Sequence, residues 1–437
     1  MKFKLSRRNL LHGITSSAAS IHAQSYANVA SASTSGMFVD IRDFSPKMDG
    51  SDDSKAVQAA IDYLTGSTTS SIDTDVDRIG IPGGTILVPG YLSLSKTIIV
   101  NKASIRFIGT NGYGMRSGQY APAHNNGHWL PSVFRWIGDA GKDMFLYTDT
   151  REIYWEGVRF EGNDVRQPLS FHHFENTPNV LQTIGANIGK TFVDCHFGIY
   201  PWTDTGLHKG KMKTAILVDG DNANNDRLRT ERCTIRGATV AAIDVQNSQS
   251  VWGIYEDLYL EKCNIGIRSS SHIQARNICF QQCDVGIEAN DAVKVWCFHL
   301  NSENTQTVAK IKGSSSLFIW GGYSQTQEHG DGPFIAASEA NSGTTIYLEG
   351  HRINKEANVK IPNKIEISSK IKTAKVVLNH VSFYGLKEED FLQNTEDQKE
   401  NNFLLESSNK NLILADSETG ENYSLTIKAG KLDITKT

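Results

Sequence analysis

Apolar and polar residues alternate twice over between Leu258 and Asp291. In "LYLEKCNIGIRSSS", Leu258, Leu260, Ile265 and Ile267 fall on one side of an extended chain, with Tyr259 and Glu261 on the other. In "ICFQQCDVGIEAND", Ile278, Phe280, Val285 and Ile287 take the inner side and Cys279 and Gln281 the outer. A period of two over such short runs predicts half-buried strands. Cys263 and Cys283 stand between the two strands of each copy, 283 − 263 = 20 residues apart. The same frame places Cys233, Cys195, Asn163 and Thr110 at earlier bends, and 296–313 and 317–327 continue it. Two short strands cannot cover an apolar face alone, whereas a stack of them can. The pattern predicts a β-solenoid whose coils lie about 4.8 Å apart. Cys195, Cys233, Cys263 and Cys283 are then expected in one internal ladder, and Glu231 and Glu261 at equivalent outward places on neighbouring coils.

The ends read differently. Asp52-Asp53-Ser54 is a helix-start signal. Ala56, Val57, Ala60, Ile61 and Leu64 form an apolar stripe at helical spacing, suited to covering the open end of a solenoid. Near the other end, 411–435 predicts three antiparallel strands with turns at Glu418-Thr419-Gly420 and Lys428-Ala429-Gly430.

Residues 38–100 carry Asp43, Phe44, Asp49, Gly50, Asp53, Ser54, Ala56, Gln58, Ala60, Ile61, Asp62, Gly83, Gly84, Pro89, Gly90 and Tyr91 in an order that resembles the N-terminal signature of the pectate lyase superfamily. It departs at Ser45, where the family usually has Gly, and in a polar insertion from Thr65 to Arg78. The resemblance implies an all-β fold, a right-handed parallel β-helix with an N-terminal capping helix, and carbohydrate substrates. The C-terminal segment resembles the small antiparallel modules of phage tailspike depolymerases, which implies a homotrimer. The expected organisation is a leader at 1–35, the β-helix at 36–385, a linker at 386–402 and a β-hairpin module at 403–437.

Composition narrows the partners. The net charge is −4 with no basic block, against a nucleic-acid partner. No apolar run reaches the roughly 18 residues of a membrane span. The start, with Lys2, Lys4, Arg7 and Arg8 before a mildly apolar stretch, resembles a bacterial twin-arginine signal, implying export to the periplasm or beyond. The six cysteines read most simply as small buried side chains, although stacked neighbours are near enough to bridge. No Cys-x-x-Cys pair suggests a metal site.

The polygalacturonase branch of the superfamily carries Asn-Thr-Asp, Asp-Asp, Gly-His-Gly and Arg-Ile-Lys motifs, and the solenoid here has none of them. Chemistry must therefore be sought in geometry. Insertions at 112–132, 164–179, 201–213 and 219–226 cluster on the early coils, where they can wall a groove. Trp129, Trp202, Lys211, Arg229 and Tyr259 are the expected substrate contacts, through ring stacking and charge. Glu231 with Glu261 would suit glycoside hydrolysis; a charge ladder balanced by Arg229, Arg232 and Lys262 is the plain alternative. Asp219 is a rival acid or an oxygen ligand for calcium, and Asp204 with His208 could supply base and acid. No cofactor is required, with calcium the one candidate. The expected function is an exported lyase or glycoside hydrolase acting on an acidic polysaccharide. A non-catalytic polysaccharide-binding protein and a tailspike depolymerase are the alternatives.

Overall fold

A computed structural model describes residues 38–66, 82–109, 132–162, 178–198, 212–219, 224–291, 293–326, 332–340, 344–355, 365–367, 375–384, 404–407, 412–415, 422–428 and 431–436. Its strands build a right-handed parallel β-helix with three faces. The first face rises from Gly83–Val88 through Arg151–Glu156 and Leu228–Glu231 to Lys375–Asn379, each strand parallel to the next. The second begins at Tyr91–Leu94 and ends at Ser382–Tyr384. The third is a ten-stranded parallel sheet from Ile98–Asn101 to Ile365–Ile367. Ile273–Gln281, Lys294–Glu303 and Ser316–Thr326 run through the bend between the first and second faces without a break.

Inward positions stack on their equivalents one rung away. Phe107 lies flat on Trp155 with ring centroids 4.1 Å apart, and Phe160 on Phe197 at 4.7 Å. Of the inward residues predicted from the two sequence copies, Leu258, Leu260, Ile267, Ile278, Phe280 and Ile287 are buried. Ile265 and Val285, which pair with each other, are half-buried.

Two bends per coil share one local plan: a residue with left-handed backbone, then a residue that turns into the core. At the first bend the left-handed residues are Gly157, Asp194, Arg232, Asp257, Asn277, His299, Gly321, Gly350 and His380, all with φ between 50° and 71°. At the second they are Gly198, Gly237, Lys262, Gln282 and Asn304. This duplication corrects the single cysteine ladder. Cys195 and Cys233 follow the first bend on neighbouring rungs, with the Thr234 N–H donating to the Cys195 carbonyl at 3.0 Å. The next residue of that column is Leu258, because the Tyr259 N–H donates to the Cys233 carbonyl at 3.1 Å. Cys263 and Cys283 follow the second bend, above Ala238. Two short columns replace one long one, and all six thiols are free. The sequence frame failed because "ERC" and "EKC" are the same bend written on different corners of the coil.

The N-terminal end is closed face by face. Phe38–Asp40 pairs with Gly83–Val88 on the first face. The Asp53 carboxylate accepts from the Ser93 N–H at 3.1 Å and the Asp52 carboxylate from the Ser95 N–H at 3.0 Å on the second. On the third, the Gln58 amide both donates to the Ile99 carbonyl at 3.0 Å and accepts from the Ile99 N–H at 2.9 Å, as a strand would. Gln58 belongs to the helix Ser54–Thr65, which buries Ala56, Val57, Ala60, Ile61 and Leu64, the predicted stripe. Capping residues thus block the free edges that would otherwise recruit another strand.

A charged side chain, that of Lys190, enters the core. The Lys190 ammonium is buried on the first face and donates to the carbonyls of Asn187, Asn225 and Asp226 at 2.5, 2.6 and 3.2 Å. Towards the C-terminus, Leu404–Ser407, placed by the sequence reading in the terminal module, pairs parallel with Lys375–Asn379. Leu412–Ala415, Asn422–Lys428 and Lys431–Lys436 form a three-stranded antiparallel sheet.

Candidate active site on the second face

The strand Arg159–Glu161 points Phe160 inward and the two charges outward, as period two requires. Glu161 aligns with Arg135 one rung below. The Arg135 guanidinium donates to one Glu161 oxygen, from Nη2 at 3.2 Å and Nε at 3.3 Å. Although it faces away from the core, the Glu161 side chain is fully buried, and its Oε2 has no hydrogen-bond partner among the described residues. Burial pushes its carboxyl up to about 7, against the opposing pull of Arg159 and Arg135. Arg159, in the adjoining outward column, is also buried. Tyr91 lies beneath the Arg135 guanidinium, 5.4 Å from its centroid, with its phenol pushed up to about 12 by burial and the nearby Glu161.

The segment 110–131 leads to the strand of Arg135 and 163–177 follows the strand of Glu161, while 199–211 follows His196–Phe197, which pairs with Arg159–Glu161. Trp129, Trp202, Asp204, His208 and Lys211 fall in those segments and lie outside the described residues.

The remaining expected residues are dispersed. Glu231 is on the first face and aligns with Glu256, while Glu261 is on the second and aligns with Arg236. The expected Glu231–Glu261 pair is therefore not formed, for the same reason that the cysteine ladder divides. Glu231 is bracketed by Arg229, which donates at 2.8 Å, and by Arg232. Glu261 pairs with Arg236 at 2.8 Å, yet burial still moves its carboxyl upward. It occupies the Glu161 column three rungs on, about 14 Å away by rung spacing, beyond the separation of a glycosidase carboxyl pair. Tyr259 is half-buried at an outward place beside that column, and burial raises its phenol. Arg229 stays on the first face, opposite Ile254.

Asp219 lies at the end of the third-face strand Met212–Val218 and accepts from the Gln182 amide at 3.2 Å. Near it, Asp143 accepts from Asn179 at 2.8 Å, and burial raises its carboxyl, with Asp219 adding to the effect. Among the described residues no cluster of three or more His, Cys, Asp or Glu side chains could hold a metal ion. Sequence reasoning missed Glu161, Arg135 and Asp143. The usable signal was "VRFEGND", which sets two outward charges directly before an insertion.

No protein-family model and no curated protein sequence matches the chain. Among solved structures it is similar to full-length tailspike protein 2 of the Escherichia coli O157:H7 bacteriophage CAB120, with a TM-score of 0.43 and 12% identity over 86% of this chain. The aligned part is 42% of the tailspike, so the chain spans less than half of that protein's length. It is also similar to DFA-IIIase from Arthrobacter chlorophenolicus A6 in complex with GF2, with a TM-score of 0.39 and 12% identity, over 81% of this chain and 86% of that one. A third similar structure is the A-module of a mannuronan C-5 epimerase from Azotobacter vinelandii, with a TM-score of 0.26 and 12% identity, over 84% of this chain and 99% of that one. All three likenesses are distant, and it is the strand pairing itself that establishes the parallel β-helix.

Proposed function

We propose that the chain is an exported enzyme that cleaves an acidic polysaccharide lying along the second face of its early coils. The observation that carries this reading is Glu161, a buried, outward-facing carboxyl pushed up to about 7. Near neutral pH such a group is protonated in a large fraction of molecules and still releases its proton readily, as a general acid must. Its unpartnered Oε2 is the natural position for that proton. Oε2 is buried in the structure, so the polymer must uncover it before the proton passes to a glycosidic oxygen; the new carboxylate is then stabilised by the Arg135 guanidinium already bound to Oε1. Arg135 and Arg159 also favour sugars that carry carboxylates.

Hydrolysis requires a second carboxylate and a water; elimination requires a base for the proton alpha to a uronic carboxylate. Asp204 and His208 are the proposed source of that second function. Glu261, further along the same column, is proposed to contact the bound chain, with Trp129, Trp202 and Lys211 at its edges. Export rests on the twin-arginine-like leader.

Incubation with a panel of polysaccharides tests the reading. New reducing ends with ultraviolet absorbance identify a lyase, and new reducing ends alone a hydrolase. Tight binding without either product removes the enzyme and leaves a polysaccharide-binding protein.

A further inference from the structure

On the late coils the first face turns aromatic. Its outward columns run Gln274, Trp296, Phe318, Tyr347 and, beside them, Arg276, Phe298, Trp320, Glu349, one residue per rung. Phe298 stacks on Trp320 with centroids 4.8 Å and planes 11° apart, and Phe318 stands beside Trp320 at 5.9 Å and 11°. Tyr347 tilts against both Phe318 and Trp320. Phe298 and Trp320 thus give a face to one another, and Phe298 is 44% exposed. A cluster of partly exposed aromatic rings on one sheet face is a candidate contact for another protein surface.

The strip is bounded by two charges that form no ion pair among the described residues, although Glu256 aligns with Arg276 one rung before it. Arg276 is exposed and lies over Phe298 at 5.9 Å, with no carboxylate partner among the described residues. Glu349 accepts from the Tyr347 hydroxyl at 2.7 Å and the Asn379 amide at 3.1 Å, with no cation beside it among the described residues. Other arginines of the β-helix divide: Arg229, Arg232, Arg236 and Arg268 meet carboxylates, while Arg106 and Arg352, like Arg276, lie over aromatic rings.

We propose that this strip is the contact between two copies of the chain, related by a two-fold axis that runs along the strands midway between the rungs of Phe298 and Trp320. The two β-helices then lie antiparallel. Phe298 of each copy meets Trp320 of the other, Trp296 meets Phe318, and Arg276 meets Glu349, so every contact occurs twice, as an isologous interface requires. A parallel two-fold arrangement of the same strip, or a three-fold axis running along it, would instead bring equal rungs together and set Arg276 against Arg276 and Glu349 against Glu349. The charge pattern therefore selects the antiparallel dimer over a trimer built around this strip. This inference is independent of the enzymatic reading.

Sedimentation velocity of the full chain tests it, from about 1 to about 100 µM, where an interface of modest area dissociates. The expected result is a shift from one chain to two. Arg276→Glu and Glu349→Arg should each raise the dissociation constant about tenfold or more, and the double swap should bring it back to within about threefold of the original. Phe298→Asp should leave a monomer. Melting temperatures taken alongside identify any variant that loses its fold, and recovery in the double swap does not depend on them. A monomer at every concentration overturns the proposal, as does a trimer, a dimer indifferent to the single swaps, or a double swap as weak as its parents.

Discussion

Arg135 reaches only one oxygen of Glu161: both of its donors converge on Oε1 at 3.2–3.3 Å, while Oε2 is buried without a partner among the described residues. A carboxylate in a structural ion pair would commonly offer both oxygens to the guanidinium fork. The half-used geometry is what separates Glu161 from Glu231, which is held between Arg229 and Arg232 on the first face.

Replacing Glu161 by Gln should abolish cleavage, with a loss of about 100-fold or more in kcat, the range expected when a general acid is removed. Binding of the polymer should persist, because the amide keeps an acceptor for Arg135. Assays of product release and of polymer retention on the same preparation separate the two effects. Cleavage at the original rate in Glu161→Gln would exclude this residue as the proton donor.

Glu161 should also leave a mark on stability against pH. Its carboxyl is near 4.5 in the unfolded chain and about 7 when folded. The folded state therefore holds the proton more tightly, so its contribution is complete below pH 4.5 and is lost as pH rises through 7. The full span is about 3 kcal/mol at most. Denaturant midpoints of the original protein should fall between pH 5 and 7.5 relative to those of Glu161→Gln. Parallel curves for the two proteins would contradict the shifted carboxyl.

At the N-terminal end, Gln58→Ala should cost about 1 kcal/mol, since Ile99 loses a donor and an acceptor that water can partly replace. The larger consequence is association: the edge of the third face is opened to strand addition. Light scattering on standing should rise in Gln58→Ala and not in Gln58→Glu, which keeps an acceptor and adds a repelling charge. Equal scattering in all three proteins would show that the helix alone protects the edge.

Cysteine chemistry reports the register directly. Mild oxidation followed by peptide mapping should yield Cys195–Cys233 or Cys263–Cys283 links, if any, since these pairs sit on adjacent rungs. A link between Cys233 and Cys263 would contradict the two-column arrangement. Introducing Leu258→Cys should make Cys233 bridge to position 258.

The solenoid was legible in the sequence because period-two alternation and the spacing of "LYLEKC" and "ICFQQC" are direct images of coil packing. The cap was legible too, in the stripe from Ala56 to Leu64. Register was not, because Arg232 and Lys262 bend the chain in the same way at different corners, so Glu231 and Glu261 looked equivalent. Nor was the site. Glu161 differs from any outward glutamate only by its burial, which depends on what surrounds a strand rather than on the strand itself. Lys190 was hidden for a related reason: it is a core residue by position and a cation by type, and the three carbonyls that accept from it come from two coils.

The shared plan of the two bends separates the history of the floor from that of its walls. From Asp257 to Asn277 a coil takes 277 − 257 = 20 residues, yet from Asp194 to Arg232 it takes 232 − 194 = 38, and both close on the same left-handed geometry. Extra chain can be spliced in beside a corner without moving any rung. A lineage of such proteins can thus exchange its loops while the buried stack beneath them passes unchanged.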